Sequence, residues 1–288
     1  MQFTQYTDVH AFYYATGDIL MRHEAQNVIP LGNIIIGVEG RDKTDWRDPV
    51  NWFMATVSDY NGIKLTAIMT PPHNIAIYAT DNQNSPEAIH CLIEGIANAD
   101  VPTPGVLAEK SLAEMFASIY NARHNKASKI SMSQRIYELT EVNPQIPKVS
   151  LRLATERDMA FLPYWDAGFR FDGKLSQSFT LAEDMDYYRH IIRSRRTYIM
   201  EDGGVPVSVA RISRDLKNVC VVSYVYTPPY FRKRGYATAC TAAVSQMGLN
   251  RGFKKCVLYT DLTNPTSNSI YQKIGYRPIC DSLEIKFE

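Results

Sequence analysis

Apolar positions in the second half of the chain switch between two rhythms, and the switches divide it into elements. Val149 to Leu153 alternates apolar and polar residues, as a half-buried strand does. Thr155 is a helix N-cap residue ahead of Met159, Leu162 and Trp165, with Asp158 three positions on to complete a capping box. From Leu181 to Arg193, Met185, Tyr188 and Ile192 share one stripe of a second helix. Tyr198–Met200 and Val205–Ile212 are two strands joined across Asp202-Gly203-Gly204 as a hairpin. The pattern then predicts a strand over Val219–Tyr226, a glycine-containing loop and a helix to about Asn250. A strand at Cys256–Thr260, a helix at Pro265–Ile274 and a last strand near Ile279–Phe287 complete it.

The first half carries a fainter copy of this order. Phe53–Val57 and Ile63–Met69 flank Tyr60-Asn61-Gly62, a strong hairpin signal. Ile75–Ala79 is a strand, followed by a helix from Pro86 through Ile96, a short strand at Val106, a helix over Leu112–Tyr120 and a strand over Ile130–Leu139. Corresponding elements lie roughly 140–150 residues apart, the spacing a duplicated domain produces. Periodicity leaves Leu31–Ile36 open between helix and buried strand. Between the halves, Glu141 to Lys148 holds Pro144 and Pro147 with little apolar content and reads as a linker. The expected division is therefore 1–142 and 149–288, within an α/β (α+β) class.

Composition narrows the function. A 45% hydrophobic, 21% charged chain of 288 residues belongs with globular proteins. Its formal charge of +1 supplies no field for nucleic acid or an anionic membrane. No apolar run approaches the roughly 18 residues of a membrane span. The acids Asp8 and Asp18 do not suit a signal peptide, so the expected location is cytoplasmic. Five cysteines (Cys91, Cys220, Cys240, Cys256, Cys280) show no C-x-x-C spacing, and the six histidines no H-x-x-H, so neither a metal site nor a disulfide framework is expected.

The chemistry gathers at Tyr224-Val225-Tyr226-Thr227-Pro228-Pro229-Tyr230-Phe231-Arg232-Lys233-Arg234-Gly235-Tyr236-Ala237. A strand ends, two prolines turn the chain, and a helix opens at a glycine behind three cations. The first N–H groups of a helix have no internal partner and sit at the positive end of its dipole. Gly235 and Ala237 keep side-chain bulk away, so a diphosphate can close on those groups. Further on, Asn264 is a good N-cap, Pro265 suits the first helical position and Gly275 the stop. Asn264, Asn268 and Tyr271 share one polar face of that helix, while Ile270 and Ile274 share the other.

Arg232-x-x-Gly235-x-Ala237 after a strand resembles the [Q/R]-x-x-G-x-[G/A] signature of the GNAT superfamily of acyl-CoA-dependent acetyltransferases. The segment Asn264 to Tyr276 resembles that superfamily's N-x-x-S-N-x-x-Y-x-x-x-G-[F/Y] segment, one strand later, as expected. The resemblance covers Val149 to Glu288, and it implies two GNAT-like domains, each a mixed, mostly antiparallel sheet flanked by helices. It implies acetyl-CoA (coenzyme A) as cofactor, held by Arg232, Lys233, Arg234, Gly235, Tyr236, Ala237 and Thr238 at its diphosphate. Pantetheine would pair with a splayed strand edge at Val225, Tyr226 and Thr227, and a backbone N–H near Val225 would hold the oxyanion of a tetrahedral intermediate. Tyr271 matches the tyrosine that protonates the departing thiolate. Asn264 and Asn268 would bind cofactor or order the helix of Tyr271.

The implied reaction moves acetyl to a primary amine by direct attack. The general base is open between Tyr224, Ser223, a water chain, and Glu183, Asp184 or Asp186, acids that equally suit a solvated helix face. The basic group Arg189, His190, Arg193, Arg195 and Arg196 reads as a solvated face, or else meets the cofactor's 3′-phosphate. In the first half, Asp81 to Pro86 has neither glycine nor arginine at the equivalent turn, so that half is expected to have lost the cofactor. Two other readings stand beside the enzyme: an acyl-CoA sensor without turnover, and a protein acetyltransferase using the first half as a docking module. The amine acceptor and the oligomeric state are not legible in the sequence.

Overall fold

The computed structural model describes residues 1–40, 48–173 and 181–288, with backbone alone for residues 181–184. The chain forms two compact units, Met1–Ile136 with Ile279–Glu288, and Tyr137–Pro278.

The first unit opens with β1 (Gln2–Tyr6), α1 (Val9–Arg22) and α2 (Val28–Glu39), so the ambiguous run Leu31–Ile36 is helix. A left-handed Gly40 ends α2. Next come β2 (Phe53–Asp59), β3 (Gly62–Met69), β4 (Ile75–Ala79) and α3 (Pro86–Asn98). Then follow β5 (Gly105–Glu109), α4 (Lys110–His124) and β6 (Ser128–Leu139), whose last three residues lie in the second unit. The hairpin at Tyr60-Asn61-Gly62 forms as its sequence predicts, with β2 and β3 antiparallel. β4 and β5 are parallel, a pairing that needs a crossover, and α3 supplies it. Ile89, Leu92, Ile93 and Ile96 of α3 and Leu112 and Phe116 of α4 bury their stripes against Val57, Leu65, Ile75 and Ile77 of the sheet.

The second unit adds β7 (Leu151–Leu153), α5 (Leu162–Asp172), α6 (Leu181–Arg193), β8 (Thr197–Asp202), β9 (Val205–Asp215) and β10 (Val219–Tyr226). α7 (Tyr236–Asn250), β11 (Lys255–Asp261) and α8 (Pro265–Ile274) follow, and β12 (Arg277–Phe287) closes the order. Its strands run β11-β10-β9-β8-β7 beyond the end of β6, antiparallel except for the parallel pair β10 and β11 around α7. The order β10-α7-β11-α8-β12 thus repeats β4-α3-β5-α4-β6. Both units are mixed, mostly antiparallel sheets flanked by helices. Cys220, Cys240 and Cys256 are buried in the second core, as small apolar residues are.

The units do not follow the expected linear division at 142 and 149. β12 belongs to the first unit from Ile279 onward, where it pairs with β5 from Ser282↔Glu109 to Lys286↔Gly105. Arg135 of β6 clasps Asp281 of β12 with two bonds of 2.6 and 2.9 Å. The pattern of Ile279–Phe287 marks a strand but carries no information on its partner, and the sheet edge at β5 takes it.

The predicted helix after Thr155 is two pieces, a single 3-10 turn over Glu156–Ala160 and then α5. The capping box is present: the Thr155 N–H donates to Asp158 at 2.6 Å. Arg152 adds two bonds of 2.8 Å to the same carboxylate, which is 2% exposed. Burial alone would raise the Asp158 pKa, but the bonds from Arg152 and Thr155 outweigh it and hold the group below its ordinary value. A depressed folded pKa means stability present above the unfolded value and lost as the pH falls through the folded one. Asp158→Ala is expected to lower the unfolding free energy by about 2 kcal/mol at pH 7. In urea melts the difference between variant and wild type should shrink as the pH is lowered beneath the ordinary carboxylate value of 3.8; a difference that does not change with pH would show that the carboxylate charge contributes nothing.

Candidate acyl-transfer site

Two strands that run side by side and then part make the site. β10 and β11 are paired from Val219↔Lys255 to Val221↔Val257, after which β10 continues to Tyr226 and β11 to Asp261 without pairing. On the other side of β10 the register slips: Ser223 faces Arg211 and Tyr226 faces Val209, so Tyr224 and Val225 oppose Ala210 alone. This is a β-bulge, which sets backbone outside the ladder and re-aims it. Tyr224 takes the strain, with φ of 49°. The Ser208 hydroxyl pins the strand beyond the bulge, donating to the Tyr226 carbonyl at 3.1 Å and lying 2.9 Å from the Thr227 hydroxyl.

From Thr227 the chain turns through Pro228 and a single 3-10 turn at Pro229–Phe231 into the basic loop. Lys233 and Gly235 both have positive φ, 64° and 83°. These left-handed residues bring the chain sharply to α7, whose first turn no side chain caps. The first N–H bonded within the helix is that of Ala239, to the Gly235 carbonyl at 3.0 Å. The N–H groups of Tyr236, Ala237 and Thr238 therefore stand at the helix mouth. Lys233 and Arg234 are exposed beside them.

Arg232 has another task. Its Nε donates to the Thr227 carbonyl at 2.9 Å, its Nη2 pairs with Asp172 at the end of α5, and its guanidinium lies 5.6 Å from the centre of the Tyr226 ring. It braces the loop from beneath. The Tyr236 hydroxyl likewise donates to Asp202 of β8, a bond that raises its pKa.

On the other parted strand, the Asn264 side chain caps α8 by accepting from the Ser267 N–H at 3.1 Å. Asn268 donates to the carbonyls of Asp261 (3.0 Å) and Asn264 (2.7 Å) and accepts from the Tyr137 hydroxyl at 3.1 Å. Of the two roles open to these asparagines, ordering the helix engages their amide groups. Tyr271 follows on the same face, 8% exposed, beside the rings of Tyr137 (6.3 Å) and Tyr276 (6.0 Å). Burial pushes its pKa up to about 12 against a small opposing effect of Ser267, so it keeps its proton across the physiological range.

The structure corrects the expectation for Tyr224. Its hydroxyl donates to the Leu162 carbonyl at 3.3 Å, its ring meets Phe169 edge-on at 5.3 Å, and burial drives its pKa well above 10. A phenol so placed does not take a proton from an amine. Asp186 is exposed and paired with Arg189 at 2.8 Å, which is the solvated-face reading. Glu183 and Asp184 lie outside the described side chains. Arg196 is paired with Asp215 at 2.8 Å, and Arg189, His190, Arg193 and Arg195 are exposed. One acid escapes the sequence reading: Asp166 of α5, paired with Arg170 at 2.8 Å, acts electrostatically on Tyr188 and Tyr224. Its helical spacing to Arg170 was the available signal.

The equivalent place in the first unit is built differently. β4 and β5 also part, after Ala76↔Leu107. Here, however, Ser85 caps α3 by accepting from the Ala88 N–H at 3.2 Å, and Glu87 puts a negative charge in the first turn. Asp81 in the turn is paired with Arg22 at 3.3 Å.

Residues 164–276 match the acetyltransferase (GNAT) family, a span that holds both parted strands, the α7 mouth and α8. No curated protein matches the chain by sequence. Among solved structures, a GNAT-family acetyltransferase from Colwellia psychrerythraea superposes with a TM-score of 0.60 at 9% identity, covering 100% of this chain and 99% of that one. A GCN5-related N-acetyltransferase from Sphaerobacter thermophilus gives 0.61 at 14% identity, over 99% and 95%. A tandem GNAT protein from the clavulanic acid biosynthesis pathway gives 0.56 at 10% identity, over 100% and 98%. Among the described residues no helix is long and apolar enough to cross a membrane. Residues 164–276 are a domain of the acetyltransferase (GNAT) family, carried in a chain that has the fold of tandem GNAT proteins along its whole length.

Proposed function

We propose that this protein transfers acetyl from acetyl-CoA to a primary amine, and that each chain binds one cofactor. The observation that carries the reading is the uncapped first turn of α7, opening beside a strand that has left its neighbour. The three N–H groups with exposed Lys233 and Arg234 suit a diphosphate, and the Gly235 position leaves open space in front of them. The bulged edge at Val225, Tyr226 and Thr227 suits the amides of pantetheine, which add to it as a strand would. Acetyl-CoA supplies an activated thioester. This chain's residues then have two tasks. A bulge N–H near Val225 stabilises charge developing on the carbonyl oxygen, and Tyr271 delivers a proton to the departing sulfur. The amine's own proton leaves through water.

Calorimetric titration with acetyl-CoA should saturate near one equivalent per chain. In the first unit the equivalent helix mouth already holds its own cap, Ser85, which occupies the Ala88 N–H, and an acid, Glu87, which repels a diphosphate. Saturation near two equivalents would overturn the single-site reading. Release of free thiol in a primary-amine screen separates an enzyme from a sensor that binds without turnover.

A further inference from the structure

α8 is a helix of 10 residues, too short to hold its own shape in water, and of its side chains Tyr271 and Ile274 are the buried ones. Its roll about its own axis therefore depends on a few side-chain contacts. That roll matters, because a proton donor must lie within hydrogen-bond reach of the atom it serves. Asn143 holds the end of the helix by donating to the Lys273 and Ile274 carbonyls at 3.0 and 2.8 Å, and two contacts along its middle meet at one phenol. Tyr137 is wholly buried near the end of β6, where the chain enters the second unit. Its hydroxyl donates to Asn268 Oδ1 at 3.1 Å and accepts from Gln272 Nε2 at 3.2 Å. Asn268 and Gln272 are one helical turn apart and flank Tyr271, so the two bonds span the stretch of helix that carries it. Asn268 in turn ties the helix to β11 through the Asp261 carbonyl.

We propose that Tyr137 is a positioning residue for acyl transfer: its hydroxyl, bonded to Asn268 and Gln272, fixes the roll of α8 that aims Tyr271 into the site. The proposal rests on Tyr271 being the proton donor, as read above. It also places a requirement of the second unit's chemistry upstream of residues 164–276, on the last strand of the first half.

The test is a double-mutant cycle of Tyr137→Phe and Tyr271→Phe in the full chain. Thiol release from acetyl-CoA is followed with a pool of spermidine, tyramine and amino-acid esters, and with water alone as acceptor. Tyr137→Phe should lower kcat by about 3- to 10-fold with KM for acetyl-CoA within about twofold, because an interaction acting on the transition state is lost. The double variant should be no slower than Tyr271→Phe alone, since a helix without its donor has nothing left to aim. Gln272→Ala, an exposed position, should give a smaller loss in the same direction and serves if Tyr137→Phe folds poorly. A fall in melting temperature with kcat intact would overturn the proposal, as would multiplicative losses in the double variant. If Tyr271→Phe itself retains the wild-type rate, the proton-donor reading fails and takes this proposal with it.

Discussion

Tyr271→Phe should lower kcat by about 10²- to 10⁴-fold, the contribution typical of a positioned proton donor. The substitution removes one oxygen and keeps the ring among Tyr137, Tyr276 and Ile274, so packing is retained. Loss should appear equally in kcat and kcat/KM, as for an interaction made only in the transition state, with acetyl-CoA affinity nearly unchanged. Because burial raises the Tyr271 pKa to about 12, the donor stays protonated and the rate should show no alkaline limb from this group below about pH 11. A tyrosine that merely packs against pantetheine predicts weaker binding with turnover intact. Calorimetry and steady-state rates on one preparation separate the two, and a near-normal kcat would place the acid elsewhere.

The second large effect is expected at Gly235, where Gly235→Val should weaken acetyl-CoA binding by well over tenfold, about 1.4 kcal/mol or more. The reason lies in the backbone. Gly235 sits at φ +83°, which costs an L-residue about 1–2 kcal/mol and a β-branched one more. A Cβ there meets nothing within 4 Å, so the protein's own packing is undisturbed. Valine either drags φ out of the left-handed region, turning the Tyr236, Ala237 and Thr238 N–H groups away, or stands its methyls where the diphosphate must approach. Gly252→Val is the matched control: φ is +97°, its Cβ also meets nothing, and it follows the far end of α7. Both variants should lose similar stability, but only Gly235→Val should lose affinity. Equal acetyl-CoA affinity in the two would refute the loop assignment.

Local signals were well preserved in the sequence, and pairings were not. Asn264, Pro265 and Gly275 bound α8 because capping is a property of neighbouring residues. The uncapped mouth of α7 was legible for the same reason. Arg232 shows the limit. Its motif position marks it as an anion ligand, yet its nearest commitments are the Thr227 carbonyl and Asp172, which lies sixty residues away and has no periodic relation to it. Tyr224 misled similarly: its place on β10 was readable, but not the bulge that turns its phenol under α5. The parting of β10 and β11 was implied by the resemblance alone and left no trace in the periodicity, because an apolar strand alternates identically whether or not its neighbour is present.

The pairing of β12 with β5 sets a timetable for the growing chain. When Ile136 has been made, the first unit has its helices and most of its strands, but β5 is held only by the short pairing with β4. Its other side offers the row of groups that five residues of β12 will later fill. About 150 further residues must be added first, a delay of roughly 8–30 s at ordinary elongation rates. Through that interval an apolar sheet stands with an unpaired edge, the configuration that recruits stray strands. Ribosome-bound fragments ending between residues 136 and 280 should therefore engage holding chaperones, and premature stop codons in that interval should yield aggregates instead of a free-standing first unit.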